Sequence, residues 1–353
     1  MNQPVYLLAS GALCALGIGV AQIWAAARAG LSRTAASPLR GGSGEPLTLA
    51  LVPEDALAPL DPALEAQHPA QVEGRLLRLM ASPLAEIASG PLASAPLPLY
   101  LGMPEPEPGF GRAFDDRRFL SQVAQLAAVP IDPARSRVFR QGRAAGFFAL
   151  AAAEEALARG DFTHVLVGGV DSYLDPVRLA RLDAEGRLLG PHTMDGFIPG
   201  EGAAVLLLAK VPPAAGVAAC RLSGVATAFD AGHRYAEAPA LGEGLAAALE
   251  SLRAAGRGPQ GPAEVVFAGL TGESFGAKTW GVAQLRHRDL ISPEALLEHP
   301  AEGFGDVGAA MGPLLLALAD ASLVLGHRDG PALVWANADR GPCGCAFIET
   351  ATP

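Results

Sequence analysis

Residues 137–171 read RVFRQGRAAGFFALAAAEEALARGDFTHVLVGGVD, and the reading of this stretch decides the fold. It has three parts. Residues 137–140 are strand-like. Residues 144–158 form an apolar, Ala-rich run at helical spacing with no internal proline. Residues 163–170 form a continuous apolar run that takes in Gly168 and Gly169, the pattern of a strand buried on both faces. Gly142 supplies a tight turn between the first two parts. A strand–turn–helix of this kind carries Arg143 to a helix N-terminus inside the protein.

The frame from Arg140 to Leu150, followed by Val165-Leu166-Val167-Gly168-Gly169-Val170-Asp171, resembles the nucleophile segment of the β-ketoacyl-acyl-carrier-protein synthases in the thiolase superfamily. That family reads roughly D-T-A-C-S-S-x-L-x-A-L, then a helix, then A-L-x-G-G-x-D. The frame is kept here and the cysteine is not: Arg143 stands in its place. In the family the thiolate attacks an acyl thioester, and the helix N-terminus helps to lower the thiol pKa. A guanidinium stays cationic and cannot be an acyl nucleophile. It is also unfavourable beside the positive end of a helix, by about 0.3–1 kcal/mol when exposed. Residue 143 is therefore either unconstrained in a decayed site, or it plugs the acyl pocket or binds an acidic group.

A second stretch strengthens the resemblance. Residues 193–208, TMDGFIPGEGAAVLLL, are similar to the family's R-D-G-F-x-x-G-E-G-A-A-x-x-x-L-E. Its glycines make a tight loop before a long buried strand. Glu201 is expected to hold the loop backbone rather than to act as an acid or base. Residues 5–17 with Trp24 resemble the family's opening strand and helix. The run 5–27 has no charged residue, which also fits a membrane span or signal peptide. No Lys or Arg precedes it, and Gly11, Gly17 and Gly19 interrupt it, so a buried strand and a helix are expected.

The two catalytic histidines implied by the resemblance are missing. The N-A-H-G-T-x-T stretch reads Phe267-Ala268-Gly269-Leu270-Thr271-Gly272-Glu273, with Gly269 at the histidine position. The G-H-x-x-G-A-A-G stretch reads GDVGAAMG at residues 305–312, with Asp306 in place of histidine. An anionic Asp306 cannot donate the hydrogen bond that a thioester carbonyl needs. The closing G-F-G-G loop is lost, since residues 337–341 read NADRG. Three altered positions, Arg143, Gly269 and Asp306, argue against condensation, because each alone removes orders of magnitude in rate. The candidate pocket is Arg143, Phe147, Glu273 and Asp306, with a charge pair expected between Arg143 and Asp306 or Glu273.

The chain has 353 residues, half of them apolar, and a net charge of −10. That acidity and the lack of a basic run exclude nonspecific nucleic-acid or anionic-membrane binding. Cys14, Cys220, Cys343 and Cys345 show no zinc spacing and read as reduced core cysteines of a cytoplasmic protein. No metal or cofactor is expected. Strand and helix signals recur along the chain. They include a helix over 71–88 bent or ended at Pro83, a strand over 97–102, a Pro/Glu loop over 104–109, and a helix after Asp175-Pro176. After Pro212-Pro213 the pattern restarts. The resemblance implies an α/β, thiolase-like fold of two similar halves, 1–213 and 214–353, in an α/β/α/β/α arrangement.

One motif supports another class. Gly272-Glu273-Ser274-Phe275-Gly276 fits a G-x-S-x-G nucleophile elbow, and Asp306 and His327 follow in hydrolase order. No oxyanion H-G-G-G stretch accompanies it. His192, His233, His287 and His299 read as surface or capping residues, and Lys278 and Trp280 as helix-face residues. The expected role is binding or assembly on a disarmed synthase fold. The partner is then an effector or adaptor in type VI secretion, or an active ketosynthase in the manner of a chain-length factor. A homodimer is expected from the resemblance.

Overall fold

The computed structural model describes residues 4–67, 71–88, 95–106, 115–256, 258–259 and 261–351. The loop expected over 104–109 lies partly outside them. Thirteen strands occur among the described residues: β1 (Val5–Cys14), β2 (Gly17–Ile18), β3 (Ala35–Arg40), β4 (Pro46–Leu49), β5 (Leu99–Gly102), β6 (Arg137–Phe139), β7 (His164–Ser172), β8 (Glu201–Ala209), β9 (Cys220–Phe229), β10 (Ala263–Ala268), β11 (Ile291–Glu298), β12 (Ala332–Asn337) and β13 (Pro342–Thr350).

The strand order shows a duplication that residue identities hide. The first five main strands run β1-β8-β7-β5-β6, and the second five run β9-β13-β12-β10-β11. Counted within each half, both orders are 1-5-4-2-3. The directions match too. The first-fifth and fifth-fourth pairs are antiparallel in both halves, and the fourth-second and second-third pairs are parallel. A short antiparallel pairing of Val5–Leu7 with Cys220–Leu222 joins the two sets into one continuous sheet.

Alternation along the strands builds the layers. Successive strand side chains point to opposite faces. Val165, Val167, Leu206 and Leu208 of the first half, and Val265, Phe267, Val334 and Ile348 of the second, share one core with the helices Ala145–Arg159 and Met311–Val324. Leu166, Val205 and Leu207 face the opposite way, onto Leu77, Met80 and Phe119 of the helices Gln71–Ala88 and Asp116–Leu126. Val266, Leu333, Trp335 and Phe347 face Leu249 and Trp280 of the helices Glu243–Ala254 and Ser274–Arg286. Two helices therefore lie between the two halves of the sheet and a pair covers each outer face, which is the five-layered thiolase-like arrangement.

Three details go beyond the sequence reading. The helix Gln71–Ala88 runs through Pro83 instead of ending there. Leu79 and Met80 before the proline, and Leu84 and Ile87 after it, are buried in one cluster. That packing outweighs the roughly 3 kcal/mol that an interior proline costs a helix. β11 was not legible, because ISPEALLE carries Pro293, Glu294 and Glu298. Those are the residues that blunt an edge strand, and β11 is one. Trp280 lies on the buried face of its helix and stacks on Trp335, with ring centroids 5.1 Å apart. The uncharged N-terminal run forms β1, β2 and the helix Val20–Arg28. No helix among the described residues is long and apolar enough to cross a membrane.

Candidate functional site

β6 leads into a single 3-10 turn, Gly142–Ala144, and then into the helix Ala145–Arg159. Gly142 has φ +54°, where a side chain would be strained, and a Cβ there would lie 2.8 Å from Glu105 Cγ. The turn aims Arg143 inward, where it is only 7% exposed. Across the halves an equivalent turn, Gly308–Ala310, feeds the helix Met311–Val324. Asp171 ties the two together, because its Oδ2 accepts from Ala309 N at 3.0 Å while its Oδ1 accepts from Arg178 at 2.8 Å. The G-G-x-D tail of the opening stretch is thus a brace between the halves.

Arg143 is fully engaged. Its Nε donates to the Asn337 carbonyl at 2.9 Å, one terminal nitrogen donates to Asp306 at 2.7 Å, and the other donates to Asp339. Asp306 also accepts from the Tyr173 hydroxyl at 2.8 Å and from Gly308 N at 2.8 Å. Asp339 is shared with Arg187, which donates to it at 2.7 Å and 3.2 Å. Arg187 also makes a bidentate pair with Glu273, at 3.0 Å and 2.8 Å. Arg234 completes the cluster at 3.0 Å from Glu273 and stacks over Phe275, 4.8 Å from the ring centroid. Three guanidiniums and three carboxylates balance, as buried charges must.

Electrostatics follows from that packing. Burial works against the Arg143 charge, but Asp339 and Asp306 outweigh it and hold the guanidinium protonated more firmly than in water. Burial likewise works against the Asp339 carboxylate, and Arg143 and Arg187 override it, keeping the carboxyl well below the usual range. Burial and then Asp306 push the Tyr173 phenol up. Burial and then Asp339 push up Glu105, whose oxygens accept from the backbone N–H groups of Asp339 and Arg340 at 3.1 Å and 3.2 Å.

Of the residues named from sequence, Arg143 and Asp306 meet as expected. Glu273 joins the same cluster but pairs with Arg187 and Arg234, not with Arg143. Phe147 is no pocket residue. It is fully buried, and a Cβ on Gly312 would lie 3.2 Å from its ring and one on Gly344 2.4 Å from its Cβ. Gly269 has no room for the missing histidine, because a Cβ there would sit 2.7 Å from Ala336 Cβ and 2.9 Å from the Trp335 carbonyl. Gly269→Ala is expected to destabilise the protein by about 1–3 kcal/mol through overpacking, checked by denaturant unfolding. Glu201 holds its loop, accepting from Val52 N at 2.8 Å, from Arg75 at 2.6 Å and from Ser172 at 2.7 Å.

The hydrolase constellation does not assemble. Ser274 donates to Asp195 at 2.6 Å and lies at the start of a helix. His327 accepts from Trp24 at 3.1 Å beyond the far end of the Met311–Val324 helix, and Asp306 belongs to Arg143. Of the other histidines, His299 pairs with Glu302 at 3.0 Å, His233 accepts from Tyr235 N at 3.3 Å, and His287 is buried at the C-cap of the Ser274–Arg286 helix. No thiol takes the nucleophile's place. All four cysteines are free and buried, and burial pushes the thiols of Cys14 and Cys345 up to about 12. A cavity of about 440 Å³ opens beside Glu273, between Leu189, Ile198, Leu270 and Leu297.

Sequence reasoning missed Asp339, Arg187, Arg234 and Tyr173. Asp339 had a signal, since it lies in the NADRG that replaces the glycine loop. Arg187 had none, because it follows a helix end at Gly186 that looks like any surface turn.

The fold is the thiolase-like fold that the solved ketosynthases share. A beta-ketoacyl synthase N-terminal domain model matches residues 142–214. The solved ketosynthase in complex with its chain length factor from Xenorhabdus doucetiae is similar at TM-score 0.77 and 17% identity, covering 99% of this chain and 98% of that one. The ishigamide ketosynthase/chain length factor matches at 0.77 and 16%, covering all of both chains. The module 6 ketosynthase of the bacillaene synthase from Bacillus subtilis matches at 0.77 and 15%, covering 99% of this chain and 72% of that one. No curated protein matches the chain by sequence.

Proposed function

We propose that this protein is a non-condensing ketosynthase-fold subunit that works by binding a condensing ketosynthase, in the manner of a chain-length factor. The observation that carries the reading is the state of Arg143. A guanidinium occupies the nucleophile position and is held by Asp306, Asp339 and the Asn337 carbonyl. It cannot attack a thioester, and the carboxylates around it cannot stabilise an oxyanion. Structures of ketosynthases solved with a chain length factor are among those most like this chain, and they favour such a partner over a second copy of it. The type VI secretion role draws no support from the similar structures.

The test is co-expression with a condensing ketosynthase encoded beside it. A stable one-to-one complex is expected. Its condensing activity should vanish when the partner's cysteine is replaced and survive when Arg143 is changed to Lys. Loss of activity in both variants, or no complex, would refute the reading.

A further inference from the structure

Two cavities lie side by side at the end of β11, and both are lined by Leu297, His299 and Glu302. Their linings otherwise differ in kind. The larger, about 440 Å³, is the one beside Glu273. Its walls are mostly aliphatic, from Leu189, Ile198, Leu270 and Ala277, and Met194 lines it as well, almost fully exposed. The smaller, about 290 Å³, is more polar and is lined by Gly30, Ser32, Glu298 and Gly303. Neither lining contains a lysine or an arginine among the described residues. Three glutamates line the pair, and they are not equally engaged. Glu273 already holds Arg187 and Arg234. Glu298 accepts from Arg328 at 2.6 Å. Among the described residues the Glu302 carboxylate meets only the His299 imidazole, at 3.0 Å, and its side chain is 79% exposed. An imidazole neutralises a carboxylate only when protonated. The carboxylate with unused capacity is therefore the one that borders both cavities.

We propose that the two cavities form one site for an amphipathic primary ammonium, with its apolar chain in the larger cavity and its head at Glu302, toward the smaller. An apolar cavity with a few convergent polar groups is the ordinary form of a small-molecule site, and about 440 Å³ lies within the usual range of about 300–1,000 Å³. The ligand class follows from charge. A fatty carboxylate would set a second anion against Glu302, with no cation on either lining to hold it. An ammonium brings three donors and the opposite charge. Burial of the chain supplies most of the affinity, and Glu302 supplies the choice of head group. The inference does not depend on the partner-subunit reading above.

The test compares n-octylamine, octan-1-ol and octanoate, which carry similar chains and differ in the head group. Isothermal titration calorimetry of the full chain in low-salt buffer is expected to rank them in that order. The amine should bind about threefold to tenfold more tightly than the alcohol, and added salt should narrow its lead. Glu302→Gln changes an exposed side chain. It should erase the amine's advantage and leave octanol binding unchanged. Ala277→Phe adds bulk at an exposed position on the wall of the larger cavity and should weaken amine and alcohol together. Circular dichroism checks that both variants fold. Equal binding of amine and alcohol by wild type, tighter binding of octanoate, or no binding of the amine would overturn the proposal. So would an amine preference that survives Glu302→Gln, or an Ala277→Phe variant that binds both ligands as wild type does. The partner-subunit reading is tested separately, because it is measured by complex formation and condensation and not by amine binding.

Discussion

Replacing Arg143 with cysteine is expected to weaken the protein without creating a synthase. The substitution restores the nucleophile of the resembled frame, yet it strips Asp306 and Asp339 of a buried guanidinium that donates to both. Removing one partner of a buried ion pair costs about 3–5 kcal/mol, a large part of the roughly 5–15 kcal/mol that a domain has in reserve. The new thiol would stand between two carboxylates, which raise a thiol's pKa and keep it protonated. No histidine stands at Gly269 or Asp306 to polarise a carbonyl. Urea unfolding should show the loss, and acyl-thioester incubation should leave the variant's mass unchanged. Arg143→Lys is the control. It keeps the charge but not the fork, so its stability should fall between wild type and the cysteine variant.

Asp339→Asn is expected to cost a similar amount at neutral pH, about 3–5 kcal/mol, because Arg143 and Arg187 both donate to this carboxylate. The variant keeps the side-chain shape, so the loss reports charge. The pH dependence gives the sign. The folded-state pKa of Asp339 is depressed. Its contribution is therefore present above the unfolded value, about 3.9, and declines as pH falls from there toward the folded value. Wild type and variant should differ most near neutrality and converge as the pH drops below about 4. A gap that widens in acid would show that the Arg143–Asp339–Arg187 bridge does not stabilise the fold.

The extent to which sequence revealed this arrangement follows from the kind of signal each part emits. The 137–171 frame, the Gly200-Glu201-Gly202 loop and the apolar runs of β7 and β8 were legible because burial and backbone geometry restrict residue type locally. Asp306 was legible as a substitution within a preserved glycine frame. The partners of Arg143 and Glu273 were not, because a long-range ion pair leaves no local pattern. Arg143 and Asp339 are 196 positions apart, and Arg187 and Glu273 are 86 apart. The same holds for Phe147, which had helical spacing in its favour. Only the packing against Gly312 and Gly344 shows that it fills the core rather than a pocket.

The cluster also explains why the altered positions belong together. Arg143, Tyr173 and Arg187 come from the first half, and Asp306, Asp339 and Glu273 from the second, so these contacts cross between the halves. Around Arg143 this protein has a clasp of paired guanidiniums and carboxylates. The most direct measurement is intact-mass spectrometry of the wild-type protein after exposure to malonyl- and acyl-carrier thioesters. An unchanged mass is the expected result. A stable acyl adduct, on any of the four buried thiols or elsewhere in the Arg143 cluster, would contradict it.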